Sequence, residues 1–197
     1  MRDRIKKFKS DLELYSRMTD IASVSRRYFV IGFFDGVLTI LGMIIGAHMV
    51  GEASSRLILS AGVATALALG ISSSWGAFEA ERIEQKIMKD RKERALLINS
   101  KECSIDRAHR FAAYVSSVIH GVAPIIAAFI PLLPYVFLPT EEAFTVAVSL
   151  GFASLFVVGA VMGKVANFNV IMSGVRMLLA GVMTALLVTL FSPSHFI

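Results

Sequence analysis

The sequence predicts an all-α, polytopic membrane protein with five transmembrane helices, its N-terminus cytoplasmic and its C-terminus outside. Three observations carry that prediction. Of the 197 residues, 55% are hydrophobic and only 18% are charged, against about 45–50% and about 25% in soluble domains. Five stretches of roughly 20 or more apolar and small residues each have the length that crosses about 30 Å of hydrocarbon. The positive charges gather at alternate connections, and it is their placement that orients membrane helices.

Residues 1–27 read as an amphipathic interfacial helix. Ile5, Phe8, Leu12, Tyr15, Met18 and Ala22 fall on one apolar face among basic residues. The charged and polar character of this segment leaves no cleavable signal peptide to expect. Residues 28–197 form the transmembrane domain, including a cytoplasmic helical extension and loop over residues 79–110. The crossings are Tyr28–Met49, Leu57–Phe78, Phe111–Pro134, Ala143–Gly163 and Val170–Phe191. Irregular backbone cannot face lipid, so each crossing must be a helix.

In the first crossing, Gly32 with Gly36 and Gly42 with Gly46 are spaced to let another helix approach closely, within the bundle or between subunits. Between Trp75 and Asn99 the second crossing meets no proline, and no glycine after Gly76. It should therefore run on into the cytoplasm as a charged extension ending near Asn99-Ser100. The third crossing carries Pro124, which should kink it, and ends at Pro131-Leu132-Leu133-Pro134.

Orientation follows from Lys and Arg. Eight of the 20 precede Tyr28 and nine lie from Arg82 to Arg110, whereas the Pro134–Phe144 linker has none and carries Glu141 and Glu142. The N-terminus and the Glu79–Arg110 connection are then cytoplasmic, Lys164 agrees, and the tail Ser192–Ile197 lies outside. The net charge of +5 is thus topology and points to lipid, not to nucleic acid. The single Cys103 allows no intrachain disulfide.

Ionisable groups inside a membrane helix cost about 2.5–3.5 kcal/mol each at its centre, so they mark function. Asp35 sits roughly 10 Å along the first crossing at 1.5 Å per residue, with Thr39 and Met43 following at i+4 and i+8. A carboxylate, a hydroxyl and a thioether on one stripe suit a borderline-soft divalent cation. The structural alternative is an Asp35 ion pair, a Thr39 bond to its own helix and Met43 as packing. Arg176 lies at similar depth in the fifth crossing, either as the ion-pair partner of Asp35 or snorkelling to the interface. At the inner end of the second crossing stand Glu79 and then Glu81, Glu84 and Met88, the last three on one face. They offer ligands for Fe2+ or Mn2+, while Arg82, Lys86 and Lys89 allow a solvated helix laced by ion pairs. His120, one turn after Ser116 and Ser117, reads as an interhelical hydrogen bond. His48 and Glu52 read as an exit pair or as interfacial residues. No phosphate loop, zinc-spaced cluster or His-Glu-x-x-His motif is present, and no enzyme is expected.

The run Arg27-Tyr28-Phe29-Val30-Ile31-Gly32-Phe33-Phe34-Asp35-Gly36-Val37-Leu38-Thr39 resembles the opening Gly-x-x-Asp-Gly-x-x-Thr helix of the vacuolar iron transporter family. Ile119–Tyr135 is similar to that family's third helix, and Phe156–Lys164 with Ser173–Gly181 to its fourth and fifth. The resemblance covers Arg26 to Phe191. It implies a five-helix homodimer with the pathway near the subunit interface, exporting Fe2+ or Mn2+ from the cytosol in exchange for protons. Asp35 matches the family's membrane carboxylate and Glu79 the glutamate of its Gly-Glu-Tyr motif. Two departures stand out: Trp75 replaces the methionine that usually precedes that glutamate, and the cytoplasmic connection is too short for the family's three-helix metal-collecting domain.

The expectation is therefore a dimeric, proton-coupled divalent metal exporter with no permanently bound cofactor. It is a multi-pass protein of the cell membrane if prokaryotic, or of a vacuolar-type membrane if eukaryotic. The alternative is a non-transporting scaffold or sensor whose cytoplasmic helix binds a partner.

Overall fold

The computed structural model describes residues 21–51, 54–96 and 104–191. The amphipathic face from Ile5 to Met18, Cys103 and Glu52 lie outside them. The described residues form α1 (Ile21–Val50), α2 (Ser55–Leu96), α3 (Ser104–Leu132), the short α4 (Pro134–Phe137), α5 (Thr140–Val165) and α6 (Val170–Leu190), with no strand among them. All but α4 are long and apolar enough to cross a membrane, giving five candidate spans.

The boundaries have local causes. Residues 21–27 are the first turns of α1, continuous with the crossing that follows. α2 is 42 residues long and carries its charged half to Leu96, as its lack of breakers predicts. Pro124 and Pro131 are both accommodated inside α3, which stops at Leu132. Pro134 then opens α4 at a position where its missing N–H costs nothing. Glu141 and Glu142 occupy the first turn of α5 and Lys164 its last, each complementing the helix dipole. α6 starts at Asn169, whose side-chain oxygen accepts from the Met172 backbone N–H at 3.2 Å. Between these two helices Asn167 takes a left-handed φ of 56°, a conformation asparagine tolerates.

The chain forms two compact units. One comprises Ile71–Val122 and the described part of Met1–Phe29; the other comprises Val30–Gly70 and Ala123–Ile197. The second unit holds the apolar core. Ile40, Ile44, Ile58, Leu132, Tyr135, Ala143 and Ala147 form one buried cluster, and Phe33, Val37, Leu41, Ala127 and Leu155 another.

Small residues let these helices meet. A Cβ on Gly36 would stand 2.5 Å from the Pro124 carbonyl oxygen, so the α1 and α3 backbones are in contact there. Gly42 and Gly46 face Val188 of α6. Both pairings lie within the bundle. On α5 and α6, Gly159 abuts the Ser173 carbonyl, Gly163 the Ser173 side chain and Gly174 the Phe156 ring. Lipid removes the hydrophobic drive for helices to associate, so this close van der Waals fit supplies the cohesion instead.

In the first unit the helices meet through polar groups. Tyr28, Glu81 and His120 join the segments of α1, α2 and α3 that belong to it.

Candidate functional site

Asp35 lies on α1 within the second unit. It is half-buried, and Gly36 beside it is the point at which α1 is pressed against Pro124. Thr39 is exposed, while Met43 packs against the cluster containing Ile40 and Ile44. The Asp35–Thr39–Met43 stripe therefore runs along the edge of the buried face of α1. Gly36, Val37, Ile40, Leu41 and Ile44 hold the helix in place, and the stripe borders that rigid face. Arg176, also in the second unit, is exposed on α6 and lines an open recess of about 230 Å3 with Phe168, Asn169, Met172 and Ser173.

The carboxylates of α2 belong to the first unit and differ from one another. Glu79 is partly exposed and accepts a charge-assisted hydrogen bond from Arg82 Nη1 at 3.3 Å. Glu84 and Met88 are exposed. A second ion pair, Lys89 Nζ to Glu93 at 3.8 Å, lies about three turns beyond the first. These contacts are the i,i+3 and i,i+4 pairs expected of a charged helix. Glu81 stands apart. It is half-buried, and its Oε1 accepts a 2.7 Å hydrogen bond from the Tyr28 hydroxyl.

Tyr28 joins three helices. Its side chain reaches α2 through Glu81, and its backbone carbonyl accepts from His120 Nδ1 of α3 at 3.0 Å. The His120 ring meets the Tyr28 ring edge-on at 5.2 Å, and the Arg27 guanidinium lies 5.3 Å from that ring's centre on a favourable cation–π approach. A carbonyl oxygen only accepts, so Nδ1 of His120 carries a proton and Nε2 is the nitrogen left for other work. The interhelical role read for His120 is what the structure shows; its partner is a backbone oxygen 92 residues away. Tyr28 was not singled out in the sequence, because an aromatic residue at the start of a crossing is the ordinary interfacial pattern.

In the second unit His48 stacks on Phe144 with ring centres 3.7 Å apart. Ser55 and Thr140, near the starts of α2 and α5, share a 2.8 Å hydrogen bond. Tyr135 is 3% exposed, its hydroxyl has no hydrogen-bond partner among the described residues, and burial pushes its pKa up to about 12, with the charge of Glu141 adding to the shift. Among the described residues, no three His, Cys, Asp or Glu side chains gather as a metal-ligand cluster.

Five helices long and apolar enough to cross a membrane, with a partly buried carboxylate on the first, define a multi-pass α-helical membrane protein. The chain belongs to the VIT family, the vacuolar iron transporters, whose model matches residues 26–103 and 79–192. The family is one of metal transporters, not enzymes. The chain is also similar to the uncharacterized protein MJ0645 of Methanocaldococcus jannaschii, with 32% identity over 164 residues covering 82% of this chain and 85% of that protein.

Proposed function

We propose that this protein exports Fe2+ or Mn2+ from the cytoplasm in exchange for protons, and does so as a homodimer. The observation that carries the reading is Asp35, a half-buried carboxylate within an apolar crossing of a VIT-family chain. In the orientation set by the Lys and Arg clusters, the charged half of α2 faces the cytoplasm. Glu79 then receives the hydrated ion, with Glu81, Glu84 and Met88 extending the collecting face. Asp35 holds the ion within the membrane, and Thr39 and Met43 offer it an oxygen and a sulfur further along. A carboxylate binds metal only when deprotonated, so one group alternating between proton and metal couples the two fluxes.

Proteoliposomes loaded to give a pH gradient test this. Wild type should carry Fe2+ or Mn2+ against proton flow, and Asp35→Asn should abolish the flux while eluting as folded protein. Undiminished flux in Asp35→Asn removes the central role given to that carboxylate. One observation favours a second reading, a scaffold or sensor: Ile83 and Ile87, 56% and 39% exposed, make an apolar strip along the charged half of α2 that fits a protein partner. Wild type that carries neither metal would decide for it.

A further inference from the structure

The hairpin of α5 and α6, within the second unit, carries two positive charges and no negative one beyond the start of α5. After Glu142 the chain holds no Asp or Glu, while Lys164 stands in the last turn of α5 and Arg176 on α6. Arg176 makes no ion pair with any described residue. It lies about 9 Å along α6 from Val170 at 1.5 Å per residue, inside an apolar crossing. A cation at that depth is costly unless it meets a counter-charge, and a long side chain lets it reach back toward the membrane surface.

Arg176 does reach back. Asn169, Met172, Ser173 and Arg176 follow at i, i+3, i+4 and i+7, one face of α6, and with Phe168 they line an open recess of about 230 Å3. Every polar side chain in that lining can donate. The guanidinium carries five N–H groups in a planar fork. Asn169 accepts from the Met172 backbone N–H through Oδ1 at 3.2 Å, which leaves its amide nitrogen to donate. Ser173 adds a half-buried hydroxyl. With a guanidinium and no carboxylate in its lining, the recess repels metal cations and attracts an anion. Phe168 and Met172, 68% and 53% exposed, give it apolar walls.

We propose that this recess binds the phosphate group of an anionic membrane lipid, with the Arg176 guanidinium holding two of its oxygens. Phosphate oxygens match the guanidinium fork, and they accept from the Asn169 amide and the Ser173 hydroxyl as well. Position selects a lipid over a soluble phosphate. The recess lies where two crossing helices are joined, at the level of the headgroups, and its Phe168 and Met172 walls suit a glycerol backbone and the first acyl carbons. In the orientation set by Lys and Arg, this end of the hairpin faces the cytoplasmic leaflet, which carries a negative surface potential. Lys164, at the same connection, adds to the attraction. The site needs neither metal nor proton and so goes beyond the transport reading. It makes an anionic lipid a structural ligand of a hairpin otherwise joined through Gly159, Gly163 and Gly174.

Native mass spectrometry of the full chain in detergent, titrated with phosphatidylglycerol or with phosphatidylcholine, tests this. Wild type should hold phosphatidylglycerol several times more tightly than phosphatidylcholine, and an equimolar amount of inorganic phosphate should not displace it. Arg176→Gln should weaken phosphatidylglycerol binding about tenfold, the size of a lost charged hydrogen bond. Arg176→Lys keeps the charge, and with it the fold, but loses the fork, so it should weaken binding about threefold. Phosphatidylglycerol should also raise the thermal midpoint of wild type more than that of either variant. Phosphatidylglycerol held as tightly by the variants as by wild type overturns the proposal. So does equal retention of the two lipids by wild type, the mark of lipid that merely surrounds the helices. Displacement by inorganic phosphate overturns the lipid assignment and leaves a site for soluble phosphate.

Discussion

Each of the two units is held together internally by its own chemistry. In the unit of Val30–Gly70 and Ala123–Ile197, helices touch where glycines remove side chains: Gly36 on the Pro124 backbone, Gly62 on Leu132, Gly151 on Leu41 and Gly181 on Leu155. In the unit of Ile71–Val122 and the described residues up to Phe29, they touch through a hydroxyl, a carboxylate and an imidazole. Close steric contact in lipid has one good geometry and no protonation state. Hydrogen bonds among titratable groups can be made and broken by a proton. The first kind of contact depends on side-chain size, and the second on matched donors and acceptors.

The contrast fails first if the steric contacts are soft. Gly36→Ala places a methyl 2.5 Å from the Pro124 oxygen and 2.6 Å from its Cα, both backbone atoms that cannot swing aside. Overpacking commonly costs about 1–3 kcal/mol, and the upper end, about 3 kcal/mol, is expected here. Reversible unfolding in mixed micelles measures it. A loss below about 1 kcal/mol would mean that the α1–α3 contact yields, and Gly36 would no longer explain how Asp35 is held.

Tyr135 is the polar exception inside the sterically packed unit, and Tyr135→Phe sharpens the contrast. Removing an unpartnered buried hydroxyl should raise stability by about 1–2 kcal/mol at neutral pH. The two proteins should diverge further in alkali. With a folded pKa of about 12 against the ordinary tyrosine value of 10.0, Tyr135 is neutral in both states at low pH. Above pH 10 the unfolded chain ionises first, so the wild type loses stability until the folded pKa is passed. Tyr135→Phe lacks that particular loss, and parallel curves between pH 9 and 12 would show that the hydroxyl is not held neutral by the fold.

The same distinction explains what could be read from the letters alone. The helices were legible because hydrocarbon sets a length and forbids exposed backbone, and α2 was legible past the membrane because nothing between Gly76 and Leu96 breaks it. Gly36 and Gly46 announced close approach by their spacing, but not the partners Pro124 and Val188, which spacing does not encode. The glycines of α5 and α6 gave less warning, since Gly151, Gly159 and Gly163 are seen to matter only once Leu41 and Ser173 stand opposite them. For the candidate site, Asp35 and Glu79 could be named from chemistry and position. The Tyr28–Glu81 and Tyr28–His120 contacts span 53 and 92 residues, and no local pattern predicts such pairings. Glu81 and Glu84 look alike in the sequence; only the fold separates the half-buried carboxylate from the exposed one.

Gly76 is the glycine that the steric account does not need. It is exposed on α2 with no atom within 4 Å of where a Cβ would stand. Gly76→Ala should therefore gain about 0.8–1 kcal/mol of helix stability, opposite in sign to Gly36→Ala. A loss would reveal a neighbour at this position, such as a second subunit against the membrane end of α2.

The smallest effect on stability tests the other half of the comparison. Arg82 and Glu79 form an exposed i,i+3 pair at 3.3 Å, with side chains 69% and 39% accessible. Such pairs contribute about 0.2–0.5 kcal/mol, so Arg82→Ala should scarcely change the unfolding midpoint. Its effect on metal should be larger, because the guanidinium occupies the carboxylate that the proposed pathway needs first. Removing it leaves Glu79 free to accept a divalent cation and takes away a like charge from the cation's approach, so Mn2+ should bind several times more tightly. The tightening should fade as salt rises, since exposed charges about 10 Å apart are already screened near 0.1 M. A titration of Mn2+ against Arg82→Ala at low and at moderate salt decides the matter. Equal affinity in variant and wild type at low salt would show that Glu79 is no more than a stabilising charge on a solvated helix.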